Sequence, residues 1–200
     1  MFKFFVKLWQ CFFAWRIAIN FDHELSGADV IIGQSFGLRK NEPGISNEAL
    51  ASELLFVYLQ LGRRPVIVQW EIADRIAEIF QTSPSKFKTI QVIRKHRIPE
   101  KYLDTREVLL QTKRICDVNG WKKAVIFAHQ DHLWRVKMMA EKIGFEVLIP
   151  PMHLRRNIPY DPLSAQWWTR NRFCSLPKKS LFVLPACFLA GYELITKEKT

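Results

Sequence analysis

The chain has 200 residues and 23.6 kDa, with 48% apolar and 24% charged residues, enough for one sizeable core. Those fractions exclude a disordered tail protein, a collagen-like chain and a polytopic membrane protein. Thirty Lys+Arg against nineteen Asp+Glu leave a net charge of +11 and a pI near 9.7. Such a balance favours anionic partners: nucleic acid, phosphorylated ligands or an acidic membrane face.

Met1–Asn20 is aromatic and apolar, but Lys7 and Arg16 confine its apolar run to Leu8–Trp15. A membrane span needs about 20 apolar residues, and no small-residue cleavage site follows as a signal peptide would require. Phe4, Phe5, Leu8, Phe12, Trp15 and Ile19 recur at helical spacing, with Lys3, Lys7 and Arg16 elsewhere. Residues 1–26 therefore read as an amphipathic segment. Through residues 2–19 it would pack on the domain or lie at a membrane surface.

From Asp29 the pattern alternates between short β-branched runs and helical stretches. Strands are expected at Asp29–Gly33, Pro65–Trp70, Thr89–Arg94, Ala124–Ala128 and Glu146–Ile149. Helices are expected from about Asn47 to Leu61, Glu71 to Phe80, Asp104 to Asn119 and His132 to Ile143. Val/Ile runs without alternation imply strands covered on both faces, and the intervening helices imply βαβ crossovers. The fold class is α/β: a three-layer, doubly wound, Rossmann-like arrangement around a largely parallel sheet. This domain covers residues 27–172. After Pro150 the chain turns proline-rich and is expected to wander over the surface, and 173–200 form a separate C-terminal segment.

Four cysteines (Cys11, Cys116, Cys174, Cys187) are scattered without a CxxC pair. That spacing argues against a zinc site or a disulfide framework, and for free thiols in a reducing, cytoplasmic setting.

In an open parallel sheet, ligands bind past the carboxyl ends of the strands, so the polar residues there are the candidates. After the first strand come Gly33, Gln34, Ser35, Phe36 and Gly37, whose glycines would expose N–H groups to an anion or serve a turn. Glu71 follows the second strand, as a helix-start carboxylate or an acceptor for a ribose or an amine. Asp104 resembles an N-cap with Glu107 three residues on, which leaves Thr105 to turn its hydroxyl into the cleft. Past the fourth strand stand His129, His132 and Arg135. His132 and Arg135, three apart, share a helix face and could bind an anion and move a proton. His129, His132 and Asp131 lack HExxH order, so an anion is preferred to a metal.

At these residues the chain resembles the YdcF-like family, also called SanA/ElyC-like. The resemblance rests on ADVIIGQSFG, SNEALASELLFVYLQLGRRPVIVQ, YLDTREVLLQTKRI and AVIFAHQDHLWRVKMMAEKIGFEV, and runs from about residue 27 to 170. It includes the helix start at Leu103-Asp104-Thr105 and the His-x-x-Arg element at His132 and Arg135. Many members carry Ser-Gly-Gly where this chain has Gln69-Trp70-Glu71. The resemblance implies a Rossmann-like domain. Some members are tied to bacterial envelope biogenesis or drug tolerance, and one is reported to bind S-adenosylmethionine.

The leading expectation is a cleft for a small anionic ligand, nucleotide-like or phosphorylated. Gly33–Gly37 would cradle its charge, Gln34 and Thr105 orient it, His132 exchange a proton and Arg135 neutralise charge. For an enzyme, transfer or hydrolysis at a phosphate or methyl centre is the fitting reaction. The alternative is a non-catalytic basic partner-binding or membrane-surface protein, based on Lys86, Lys88, Arg94, Lys95, Arg97, Lys101, Arg155, Arg156, Arg170 and Arg172. Nucleic acid ranks below both, because no recognised motif accompanies these residues or the candidate stacking pair Trp167 and Trp168.

Overall fold

The β-branched runs assemble into a parallel sheet. The computed structural model describes residues 22–40, 42–81, 89–150 and 158–171. The amphipathic N-terminal stretch 2–19, the segment 173–200, Cys11, Cys174 and Cys187 lie outside those residues, as do Lys86, Lys88, Arg155, Arg156 and Arg172. Strands β1 (Val30–Gly33), β2 (Val66–Gln69), β3 (Ile90–Ile93), β4 (Lys123–Phe127) and β5 (Glu146–Leu148) lie in the order β3-β2-β1-β4-β5. Every pairing is parallel. A helical turn, α1 (Asp22–Leu25), precedes β1 and buries Leu25, so the packed body begins a little before residue 27.

Helices α2 (Ile45–Gln60) and α3 (Trp70–Ile79) cover one face, α4 (Thr105–Asn119) and α5 (Gln130–Lys142) the other. Alternate residues of each central strand serve opposite layers, as the pleat requires. Ile31, Val68 and Val125 pack with Leu50, Leu54 and Ile72. Val30, Ile32 and Ile126 pack with Leu109, Leu133 and Val136. Each fully buried aliphatic side chain contributes roughly 1.5–3 kcal/mol, so these two layers outweigh any single helix cap at about 1 kcal/mol. The edge strands differ: Gln91 in β3 and Glu146 in β5 are exposed, which is why those runs look weaker in sequence. The result is the three-layer, doubly wound α/β fold that the sequence pattern implies.

Helix ends are where sequence and structure part. Helix α2 begins at Ile45, two residues before the expected start, with no side-chain cap from its own N-cap Gly44. Its Ile45 N–H instead donates to Asp161 Oδ2 at 3.3 Å, a cap supplied from 116 residues away. Helix α5 begins at Gln130 rather than His132, because His129 Nδ1 accepts the Asp131 N–H at 3.1 Å and serves as the cap.

The segment after residue 157 does not wander over the surface; that expectation is corrected. Residues 158–171 form a strap across the carboxyl end of the sheet, with Ile158, Asp161, Ser164 and Thr169 buried. Asp161 accepts a forked pair from Arg39, Nε to Oδ2 at 3.0 Å and Nη2 to Oδ1 at 3.2 Å. Ser46 Oγ donates to Pro159 O at 2.8 Å, and Ala165 N to Leu38 O at 2.8 Å. Trp167 and Trp168 close the strap in a 3-10 helix, edge to face at 5.9 Å.

Asp161→Ala removes the buried carboxylate of Arg39, which keeps the exposed Glu42 at 3.2 Å, and the cap of α2 together. Denaturant unfolding should show a loss of about 3 kcal/mol with an unchanged m-value. A loss below about 1 kcal/mol, the scale of one surface pair, would show that the strap does not depend on Asp161.

Candidate functional site

The winding of the sheet reverses between β1 and β4, so the crevice between their carboxyl ends is the expected ligand position. It is filled. Phe36 stacks on His129 with ring centroids 3.8 Å apart and planes 3° from parallel. Tyr160 of the strap meets the His129 ring edge-on at 4.7 Å, and its hydroxyl donates to Asp131 Oδ2 at 2.5 Å. Gln130 Nε2 adds a bond to Ile158 O at 3.1 Å.

The N–H groups after β1, expected to be exposed, are already engaged. Gln34 N donates to Phe127 O at 2.8 Å, Ser35 N to Gln69 Oε1 at 3.4 Å and Phe36 N to Asn47 Oδ1 at 2.8 Å. Asn47 Nδ2 donates in turn to Gly37 O at 2.7 Å. The two glycines answer to packing. A Cβ on Gly33 would stand 2.7 Å from Val68 and 2.8 Å from Leu54. Gly37 adopts φ +72° and lies against Thr169, whose Oγ1 would be 2.5 Å from a Cβ. The Gly33–Gly37 turn is thus a structural joint rather than an open anion cradle. Gln34 keeps one opportunity: it is 1% exposed and its Nε2 has no hydrogen-bond partner.

Beyond β4 the expected neighbours do converge. Thr105 Oγ1 stands 3.2 Å from His132 Nε2 and accepts from Arg135 Nη2 at 3.4 Å. The threonine oxygen has two lone pairs, so it accepts from Arg135 and either accepts from or donates to His132 Nε2 according to the imidazole tautomer. Burial, then Arg135, then His129 push His132 down to about 3, so the ring is neutral near pH 7. So weak a base leaves Thr105 a hydroxyl, not an activated nucleophile. Arg135 is half-buried, and among the described residues it is in no salt bridge. Asp104, a candidate ligand residue, caps α4 instead, its Oδ1 accepting Glu107 N–H at 2.8 Å. The Glu107 side chain does not reach back to Asp104. It pairs with Arg97, Nε to Oε1 at 2.6 Å and Nη2 to Oε2 at 2.9 Å, which holds it down at about 2 and pins the loop after β3.

That loop bounds an open cleft of about 480 Å³ on the β2–β3 side of the crevice. Gln69, Trp70, Glu71, Lys95, Lys101 and Tyr102 are among the residues lining it. Glu71 is 2% exposed. Its Oε1 accepts from Gln69 Nε2 at 3.3 Å, and its Oε2 makes no hydrogen bond. Burial raises the carboxyl to about 7, only partly offset by its own N–H, the Ser35 hydroxyl and Gln69. Thr105, His132 and Arg135 are not among the residues lining that cleft, although Tyr102, which lines it, lies within electrostatic range of both Glu71 and Arg135. Gln166 of the strap donates to the Tyr102 hydroxyl at 2.8 Å.

Sequence reasoning missed Gln69, the organiser that joins the β1 turn to Glu71, and missed Tyr102, the wall shared by cleft and strap. Gln69 had a signal: a polar residue closing a β-branched run that is otherwise wholly apolar. Tyr102 had none, being one aromatic in an irregular loop.

In comparison with known proteins, no family model, no curated protein and no solved structure matches the chain. Among the described residues no group of three or more His, Cys, Asp or Glu is placed to hold a metal ion, and no helix is long and apolar enough to cross a membrane. Cys116 is buried, its thiol pushed up to about 12 by burial.

The two tuned carboxyls pull stability in opposite directions with pH. Glu71, raised above its ordinary 4.5, contributes stability that is full below pH 4.5 and lost as pH rises through about 7. The loss amounts to about 3 kcal/mol at most. Glu107, lowered to about 2, contributes stability present above pH 4.5 and lost as pH falls toward 2. His132, lowered to about 3, adds a rise in stability up to about pH 6.5 that wild type and Glu71→Gln share. Wild type should therefore lose stability relative to Glu71→Gln between about pH 4.5 and 7. Parallel profiles for the two proteins would place the Glu71 carboxyl in water.

Proposed function

We propose that this protein binds a phosphorylated or nucleotide-like small molecule at the carboxyl end of its sheet, with the anionic group held by Arg135, Thr105 and His132. The observation that carries this reading is Arg135: a half-buried guanidinium whose hydrogen bond runs to a hydroxyl instead of a carboxylate. Arginine forks match phosphate oxygens, and such charge-assisted bonds are the strong ones. A neutral His132 beside it offers a proton-accepting ring, and a bound dianion would offset the positive neighbour that now suppresses its basicity. His132 then becomes the proton-exchanging group of a transferase or hydrolase working at a phosphate or methyl centre.

The resemblance to the YdcF-like family supports the same reading. It adds S-adenosylmethionine as a candidate cofactor and cell-envelope biogenesis as a setting, in a cytoplasmic or membrane-peripheral protein. Of the residues behind the basic-surface alternative, Arg94 forks onto Asp74 and Arg97 onto Glu107, whereas Lys95 and Lys101 are in no salt bridge among the described residues.

A thermal-shift panel of nucleotides, sugar phosphates, isoprenoid phosphates and S-adenosylmethionine tests the reading. A ligand at 100 times its Kd should stabilise by about 2.7 kcal/mol. Arg135→Ala should weaken the hit roughly tenfold to a hundredfold, the value of a charged hydrogen bond. His132→Ala should weaken it less. Undiminished binding in both variants would remove the Thr105 corner from the function.

A further inference from the structure

The cleft on the β2–β3 side contains one buried atom that asks for a ligand. Glu71 Oε2 lacks a hydrogen-bond partner in a side chain 2% exposed, and the residue lines the cleft. Its partner oxygen is fixed by Gln69, itself held through Ser35 N, so Oε2 is the oxygen left to bond. A buried acceptor of this kind costs about 1–3 kcal/mol unless something donates to it.

We propose that the cleft takes a ribosyl phosphate, a ribose hydroxyl donating to Glu71 and the phosphate held by Lys95 and Lys101; this rests on the reading of a phosphorylated ligand above and places it in the cleft rather than at the Arg135 corner. The chemistry of the walls selects among donors. Lys95 and Lys101 line the same cleft, and among the described residues neither is in a salt bridge. Their charge repels an ammonium donor, and the Glu71 carboxylate repels a phosphate placed directly against it. A neutral hydroxyl is the donor that both tolerate, and a ligand with hydroxyls at one end and a phosphate at the other satisfies acid and bases together. The place also fits. Glu71 stands just past β2, next to β1, where an acidic side chain meets ribose hydroxyls in dinucleotide-binding α/β sheets. A volume of about 480 Å³ accommodates a mononucleotide, and Trp70 and Tyr102 offer aromatic surface to a base.

A donated hydroxyl favours the ionised carboxyl. Binding therefore releases a proton from Glu71 below about pH 7. The charged and titratable groups around Glu71 are Asp74 on its own helix, Arg94 past β3, and Lys95, His96, Glu100, Lys101 and Tyr102 on the loop that walls the cleft.

Calorimetry of the full chain with AMP, 2′,3′-dideoxy-AMP and inorganic phosphate tests this. Wild type should bind AMP roughly tenfold or more tighter than the dideoxy analogue, the value of a charge-assisted hydrogen bond. In Glu71→Leu the two should bind within about threefold. The preference for AMP should grow from pH 6 to pH 8 in wild type and stay flat in Glu71→Gln. Equal binding of AMP and its dideoxy analogue by wild type, which needs no variant to fold, overturns the proposal. So does a preference that survives Glu71→Leu. If the dideoxy analogue binds, depends on Arg135 and matches AMP, the ribosyl-phosphate proposal falls and the anion-binding reading stands. If none of the three probes binds, the ribosyl-phosphate proposal falls, and the anion-binding reading stands or falls on the wider thermal-shift panel.

Discussion

The stack of Phe36 on His129, closed by Tyr160, decides where anything else can bind. A doubly wound sheet must leave a crevice where its winding reverses, because the connecting loops there run off in opposite directions. In this chain the crevice is taken up by three aromatic rings, and the strap that delivers Tyr160 is itself tied down by Asp161. A ligand entering at β1 and β4 would have to displace a parallel stack and a forked ion pair. The open volume lies one strand over, beyond β2 and β3. The fold type therefore sets at which end of the sheet a ligand is expected, and the plug leaves the β2–β3 side of that end open.

The net charge of +11 says little about the site by itself. Arg39, Arg75, Arg94 and Arg97 are each engaged with a carboxylate and serve the architecture. Among the described residues Arg135 is in no salt bridge, and neither are Lys95 and Lys101, which line the cleft. The two lysines border a carboxyl that burial keeps poised near neutrality. Opposed groups of this kind, a suppressed imidazole at about 3 and a raised carboxyl at about 7, are held by desolvation rather than by each other. Active and binding sites are where such desolvated groups concentrate, since a structural role gains nothing from an unmet charge.

The β-branched runs placed all five strands to within a residue or two, and the central three most plainly because burial on both faces leaves a continuous apolar signature. Thr105, His132 and Arg135 were also legible, since helix spacing alone brings two of them to one face and the loop order brings the third. Asp104 was legible as a cap for the same local reason. The strap was not. Asp161 acts through Arg39 and Ile45, more than a hundred residues away, and no local pattern encodes a contact of that span. The Gly33–Gly37 turn misled for a related reason: glycine records that a side chain will not fit, without recording whether a ligand or another part of the chain fills the space. Here it is Val68 and Leu54 at one glycine and Thr169 at the other.

Gln69 shows how the two halves of the site become one. Its carbonyl holds Ser35 N and its amide holds Glu71 Oε1, so the β1 turn and the cleft carboxyl share a single rotamer. Strap and cleft are joined likewise where Gln166 meets Tyr102. A ligand that bonds Glu71 would therefore stiffen the turn beneath the aromatic plug, and one that contacts Tyr102 would stiffen the strap above it. The plug gains from both, although neither contact touches it. On that argument the filled crevice acts as the rigid back wall of the cleft, and its aromatic stack is better understood as support for a neighbouring site than as a binding surface of its own.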